Sequence, residues 1–202
     1  ALTKRLRRVP RSIINPLINI KDLKVDLPKS LMNPFIFTSQ NAVSILAQRT
    51  SQRGDVYCVG LKVADLAKAN GFNVISISET VEKMINTGLP KKCSYFRGKQ
   101  ITVDIASQPS IKMDEYILYA QELLEINNDI EFQIDKGCII PVYSENMANH
   151  LVNCLNSNND HIIVVCISNK VSKPFEKLGF KNIIVSPEPS SDAMIETLAT
   201  KV

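Results

Sequence analysis

The chain has no G-x-G-x-x-G and no G-x-x-x-x-G-K-[ST] run, so neither of the usual glycine-rich loops is there to cradle a nucleotide phosphate. Histidine is scarce. His150 and His161 lack metal-ligand spacing with any cysteine, and no His-Glu-x-x-His occurs, so the expectation is no metal site. The cysteines, Cys58, Cys93, Cys138, Cys154 and Cys166, are odd in number and form no Cys-x-x-Cys pair. Three sit inside apolar strand-like runs, where a thiol packs as a small hydrophobe, and all read as reduced, in a cytoplasmic protein. No apolar run approaches the ~18 residues that cross a bilayer, and no signal-peptide pattern is present. The net charge of +4 is mild. Only Lys4-Arg5-Leu6-Arg7-Arg8 gathers positive charge, and it reads as a solvated helix end rather than a nucleic-acid surface.

What is present is a repeat. With 202 residues the chain is long enough for one large domain or two small ones, and 45% hydrophobic with 22% charged residues is ordinary globular composition. The strand and polar turn Phe35-Ile36-Phe37-Thr38-Ser39-Gln40-Asn41-Ala42 is answered by Cys138-Ile139-Ile140-Pro141-Val142-Tyr143-Ser144-Glu145-Asn146-Met147-Ala148, with Ser144 standing 105 positions after Ser39. Val56–Ala64 is answered by Ile163–Ser172, with Ser168 standing 108 positions after Gly60, and Gly71-Phe72 by Gly179-Phe180 at the same offset. Thr80–Asn86 and Ser190–Glu196 follow at 110. A near-constant offset over four landmarks marks a duplicated unit. Between the copies lies Glu115-Tyr116-Ile117-Leu118-Tyr119-Ala120-Gln121, an aromatic and β-branched run of strand character that crosses from one to the other.

Along the chain, Ala1–Val9 reads as the end of a basic helix with something in front of it. Ser12–Ile20 is extended, with Pro16 suited to a strand margin, and Lys21–Asn33 is a polar connection carrying one short helix. Then come strand Phe35–Thr38, helix Asn41–Gln48 capped by Ser39, strand Val56–Val59 and helix Val63–Ala69 ending at Asn70-Gly71. Strand Phe72–Ile77 and helix Val81–Asn86 follow. Cys93–Lys99 is a strand ending in two cations, Arg97 and Lys99, around Gly98, and a short helix runs through Ile105. Strands alternating with helices predict an α/β fold with parallel sheets covered on both faces.

In such sheets ligands bind beyond the carboxyl ends of the strands, where helix N-termini offer unpaired N–H groups. The turns concerned carry Thr38, Ser39, Gln40 and Asn41; Gly60, Lys62 and Val63; Ser78; Ser144, Glu145 and Asn146; and Ser168, Asn169, Lys170 and Val171. Taken singly, each turn is a helix cap. Taken together with Arg97 and Lys99, they make a cleft for a ligand bearing carboxylates. No Ser-His-Asp set, acid dyad or cysteine with a nearby histidine can be drawn from them, so an enzyme on this chain works by positioning and hydrogen bonding.

The ordered set Phe35-Ile36-Phe37-Thr38-Ser39-x-Asn41-Ala42-Val43, Val59-Gly60-x-x-x-Ala64, Gly71-Phe72, Arg97-Gly98-Lys99, Leu118-Tyr119 and Gly179-Phe180 resembles the uroporphyrinogen-III synthase family over nearly the whole chain. The resemblance implies two similar parallel-sheet α/β (Rossmann- or flavodoxin-like) domains joined by a two-stranded linker, with an interdomain cleft. One domain would hold residues 1–15 with 122–202 and the other residues 22–114. The linker strands would be Pro16–Ile20, extending to Lys21, and Glu115–Gln121, and the two halves would move about them as rigid bodies. It implies a cofactor-independent lyase that cyclises hydroxymethylbilane to uroporphyrinogen III in heme biosynthesis, losing water and inverting ring D through a spirocyclic intermediate. Substrate would be handed over from hydroxymethylbilane synthase, to a cytoplasmic monomer that binds neither nucleic acid nor membrane.

Tyr119 matches the family's cleft tyrosine, whose phenol hydrogen-bonds the departing hydroxyl; the plainer reading is a linker ring packed for its area. The chain departs from the family's Gly-x-x-Thr-Ala turn, having Val63 for Thr in the first copy and Ser168 with Val171-Ser172 in the second. The family's opening strand, with its Thr-Arg pair, does not occur in these residues. An alternative from another class is a two-domain module that binds an anionic metabolite without chemistry.

Overall fold

The structure, a computed structural model, describes Ile13 and residues 16–101, 103–107, 111–127, 134, 136–155 and 160–200. The expected helix at Ala1–Val9 lies outside the described residues. The chain divides into two compact units, one of Asn19–Glu122 and one of Ala1–Ile18 with Leu123–Val202.

In Asn19–Glu122 the organising strand is β2 (Phe35–Phe37), all three residues of which are fully buried. A strand apolar on both faces belongs in the middle of a parallel sheet covered on both sides. There it pairs in parallel with β3 (Asp55–Val59) and with β5 (Lys92–Gly98), while β4 (Asn73–Ser78) and β6 (Lys112–Leu123) extend the sheet outward, also in parallel. With β1 (Ile18–Asp22) at the margin the order is β1-β6-β5-β2-β3-β4. β1 runs against β6: Leu124 donates to the Leu17 carbonyl at one end of the pair and Leu23 to the Leu118 carbonyl at the other, each at 2.9 Å.

Helices α1 (Gln40–Arg49) and α2 (Leu61–Ala69) bury Ala42, Val43, Leu46, Val63, Ala64 and Ala67 with Phe35, Phe37, Val56 and Phe96. Helix α3 (Val81–Thr87) covers the opposite face, placing Met84 with Ile36, Cys93, Tyr95 and Ile105. The chain steps from β2 out to β3 and β4, then returns to β5 on the other side of β2. The strand order therefore reverses between β2 and β5.

The second unit builds a parallel sheet in the order β7 (Cys138–Val142), β8 (Ile162–Cys166), β9 (Ile183–Val185). Helices α4 (Glu145–Cys154) and α5 (Asn169–Lys177) share a core with Val142, Ile162, Val164 and Cys166, and α6 (Ser191–Ala199) packs Met194 and Leu198 with Val165.

The duplication read from the sequence reappears in the helix ends. Ser39 and Ser144 each accept the amide three residues on, from Ala42 and Met147, at 3.2 Å, and Thr80 and Ser190 do the same for Lys83 and Ala193. Gly60 and Ser168 make no side-chain cap. Gly71 and Gly179 both take left-handed backbone, with φ of 82° and 77°. Each lets the next amide, of Phe72 or Phe180, reach back to the carbonyl of Ala67 or Phe175, which closes the helix.

Two expected short helices are absent among the described residues. Between β1 and β2 the chain is irregular, and Gln52 clamps Leu31 from both sides, donating to its carbonyl and accepting from its amide. Beside Ile105, the Asp104 carboxylate takes the Ala106 amide at 3.0 Å, a polar turn that competes with helix while Ile105 itself is buried. No helix among the described residues is long and apolar enough to cross a membrane.

Candidate functional site

A strand order that reverses leaves a crevice beyond the carboxyl ends of the two strands concerned. Here those ends are Thr38-Ser39 after β2 and Gly98 at the end of β5. Tyr119 of the neighbouring β6 reaches into the same place, and its phenol donates to Ser39 Oγ at 2.9 Å. Ser39 Oγ thus accepts two hydrogen bonds, from Tyr119 and from the Ala42 amide, which leaves its own O–H to donate outward. Tyr119 is only 6% exposed.

The ring reaches Ser39 because of an irregularity in the sheet. Register shifts between Arg97 and Gly98, so that Arg97 faces Ile117 but Gly98 faces Tyr119. Gly98 is bare, and the ring lies across it. A Cβ there would stand 2.6 Å from Cζ and 2.7 Å from Cε2 of Tyr119.

Arg97 is committed to the same corner. Its Nε and Nη2 donate to the two oxygens of Glu115 at 2.6 and 3.0 Å, and its Nη1 donates to the carbonyls of Gly98 and Lys99 at 2.8 and 3.2 Å. Hydrogen bonding to Glu115 strengthens the guanidinium's hold on its proton. Tyr95, not picked out in the sequence, lies with its phenol 3.3 Å from Thr38 Oγ1, and burial pushes its pKa up. The signal that could have found it is a phenol near the carboxyl end of a strand whose neighbours are apolar.

A family model described as uroporphyrinogen-III synthase HemD matches residues 10–196. The chain belongs to that family. Its fold is similar to that of the uroporphyrinogen-III synthetase of Helicobacter pylori 26695, with a TM-score of 0.73 at 16% identity over 97% of this chain and 96% of that one. A mutant uroporphyrinogen III synthase from the extremely thermophilic bacterium Thermus thermophilus is similar at a TM-score of 0.51 and 11% identity, over 92% and 88%. No curated protein matches the chain. At these identities the likeness is one of fold, and the family rests on the matched model. Uroporphyrinogen-III synthases are cyclising lyases of heme biosynthesis.

The family's candidate residues fall into groups. Thr38, Ser39, Gly98, Arg97 and Tyr119 meet at the strand reversal, with Gln40 and Asn41 opening α1 and Lys99 exposed beside Gly98, its amide donating to the Tyr119 carbonyl at 2.8 Å. At the next turn, the Gly60 amide donates to the Ser78 carbonyl at 2.8 Å, and Lys62 is exposed. Val63 turns inward to the core.

In the second unit Lys170 pairs with Glu145 at 2.8 Å, tying the turn of Ser168 and Asn169 to that of Ser144 and Asn146, while Val171 is buried in the core. Because Gly60 and Ser168 supply no side-chain cap, the first amides of α2 and α5 remain for another acceptor.

Proposed function

We propose that this chain cyclises hydroxymethylbilane to uroporphyrinogen III, expelling water and inverting ring D through a spirocyclic intermediate, and that it does so without a cofactor. The observation that carries the residue assignment is the Tyr119–Ser39 hydrogen bond at the strand reversal, in a chain of this family. Loss of water from the linear tetrapyrrole, the hydroxyl from the terminal carbon and a proton from the pyrrole nitrogen, leaves an electrophilic azafulvene, and the nitrogen's proton restores the one the phenol gives up. With substrate bound, the Ser39 hydroxyl turns to donate to the phenol oxygen of Tyr119, which frees the phenol's single proton for the departing oxygen and still fixes its direction. The acetate and propionate arms are held by the first-turn amides of α1, α2, α4 and α5, whose partial positive charge suits carboxylates. Lys62, Lys99 and Lys170 add charge at the rims. Val63 contributes its backbone only, since its side chain packs inward, whereas the Val171 side chain is also buried and its amide already donates to the Ser168 carbonyl at 3.0 Å.

Inverted closure competes with a spontaneous uninverted one, so the work required is restraint of a long, rotatable substrate rather than acid strength. On the same reading hydroxymethylbilane synthase hands the substrate over, and the protein acts as a cytoplasmic monomer.

The test generates hydroxymethylbilane in place, adds this protein, and separates the porphyrin isomers after oxidation. Isomer III in excess of isomer I is the expected result; isomer I alone would end the reading. Tyr119→Phe is expected to lower kcat about 100-fold while KM changes little, in line with the ~10²–10⁴-fold value of a positioned proton donor. A variant whose affinity falls while its turnover stays would make Tyr119 a binding residue instead.

A further inference from the structure

Resting on the activity proposed above, we infer that the one-residue bulge that Leu118 makes in β6, opposite Arg97–Gly98 of β5, is the device that aims the Tyr119 phenol, so that Gly98 and Arg97 are positioning residues acting through Tyr119. Three observations converge on it. Regular pairing onward from Arg97–Ile117 would set Gly98 against Leu118; the shift sets it against Tyr119 instead. The ring then occupies the space a side chain at position 98 would need, with Cζ, Cε2 and the phenol oxygen at 2.6, 2.7 and 3.0 Å from a Cβ built there. Being buried, the ring has little room to retreat except by leaving Ser39.

Finally, the shifted backbone is locked. Four of the five guanidinium N–H groups of Arg97 are spent on Glu115 and on the carbonyls of Gly98 and Lys99. The Lys99 amide in turn donates to the carbonyl of Tyr119 itself. A chain of hydrogen bonds thus starts at Glu115, passes through Arg97 and the bulge, and closes on the residue whose phenol must be aimed. On this view Arg97 does not serve substrate carboxylates; it holds the platform on which the ring rests.

The experiment is a double-mutant cycle of Gly98→Ala and Tyr119→Ala, read by kcat, KM, isomer ratio and thermal melting. With the ring present, Gly98→Ala is expected to lower kcat about 10- to 100-fold with KM within about twofold, the size of loss that displacing a reacting group by about 1 Å brings. With the ring removed by Tyr119→Ala, adding Gly98→Ala should change neither kcat nor the melting temperature. Equal losses in both backgrounds, or no loss with the ring present, would overturn the inference.

Should Gly98→Ala alone fail to fold, Arg97→Lys takes its place, because it keeps the charge and loses the fork. It should lower kcat several-fold beside Tyr119 and not at all in the Tyr119→Ala background, and the reverse pattern would count against the device. A wild-type chain that yields isomer I alone removes the proposed activity but leaves the melting cycle to decide whether ring and glycine are coupled.

Discussion

Ser94 is the clearest single-residue test of how this core was assembled. It is fully buried on β5, its amide donates to the Pro34 carbonyl at 3.0 Å, and its hydroxyl has no partner among the described residues. An unpaired buried hydroxyl carries a desolvation cost that a methyl does not, so Ser94→Ala should leave stability unchanged or raise it by up to about 1 kcal/mol. Urea denaturation checks this; a loss beyond about 1 kcal/mol would reveal a partner for the hydroxyl. Single residues were also where sequence reading reached least far. Ser39 could be read as a cap from its place after a strand, and the structure bears that out. That the same oxygen receives the Tyr119 phenol depends on a contact across 80 positions and on a bulge, and neither leaves a local pattern. Val63 and Val171 looked like losses of hydroxyls from a binding turn. In the structure they are core side chains, because position three of each helix already faces inward.

At the scale of elements, periodicity and the repeat offset located β2, β3, α2 and α3 to within two residues at either end. Both short helices that failed lie in stretches without periodicity, where the outcome is set by side-chain to backbone hydrogen bonds from Gln52 and Asp104. Arg53 is the strongest example of such a tie. Its guanidinium donates to the carbonyls of Ala47 and Thr50 at the end of α1 and of Asn70 at the end of α2, and its Cζ lies 4.7 Å over the Phe72 ring. It therefore satisfies terminal carbonyls of two helices at once. Arg53→Ala is expected to cost about 2–3 kcal/mol, the scale of a few charge-assisted hydrogen bonds partly replaced by water. Arg53→Lys should recover less than half of that, since one ammonium cannot span both helix ends. Equal stability of the Lys variant and the parent in chemical denaturation would contradict this account.

Over the whole molecule the thiols set an alkaline limit. Burial pushes Cys58, Cys93 and Cys166 from an ordinary 9.0 up to about 11, and raises Tyr95 as well. A group whose folded pKa is raised stabilises the fold fully below its unfolded pKa, and that contribution is lost as pH rises through the folded value. The melting temperature should accordingly hold up to about pH 9 and fall between there and about pH 11, while Cys58, Cys93 and Cys166 resist alkylation at about pH 8. A melting temperature constant through about pH 11, or rapid alkylation at Cys58, Cys93 or Cys166 rather than at the half-buried Cys138 and Cys154, would show that these cysteines are accessible.

The way the chain threads its two units carries a consequence for how the protein is made. Leu17 packs in the core with Ile126, Val142 and Phe175, and its carbonyl accepts the Leu124 amide. All of these partners leave the ribosome only after the whole of Asn19–Glu122 has been synthesised. That unit, continuous in sequence, can bury its core while translation is still under way, whereas Leu17 must wait in the nascent chain for residues more than a hundred positions behind it. A ribosome that stalls after Glu122 would release a chain with one complete core and one apolar segment left unmatched, the kind of product that quality control recognises.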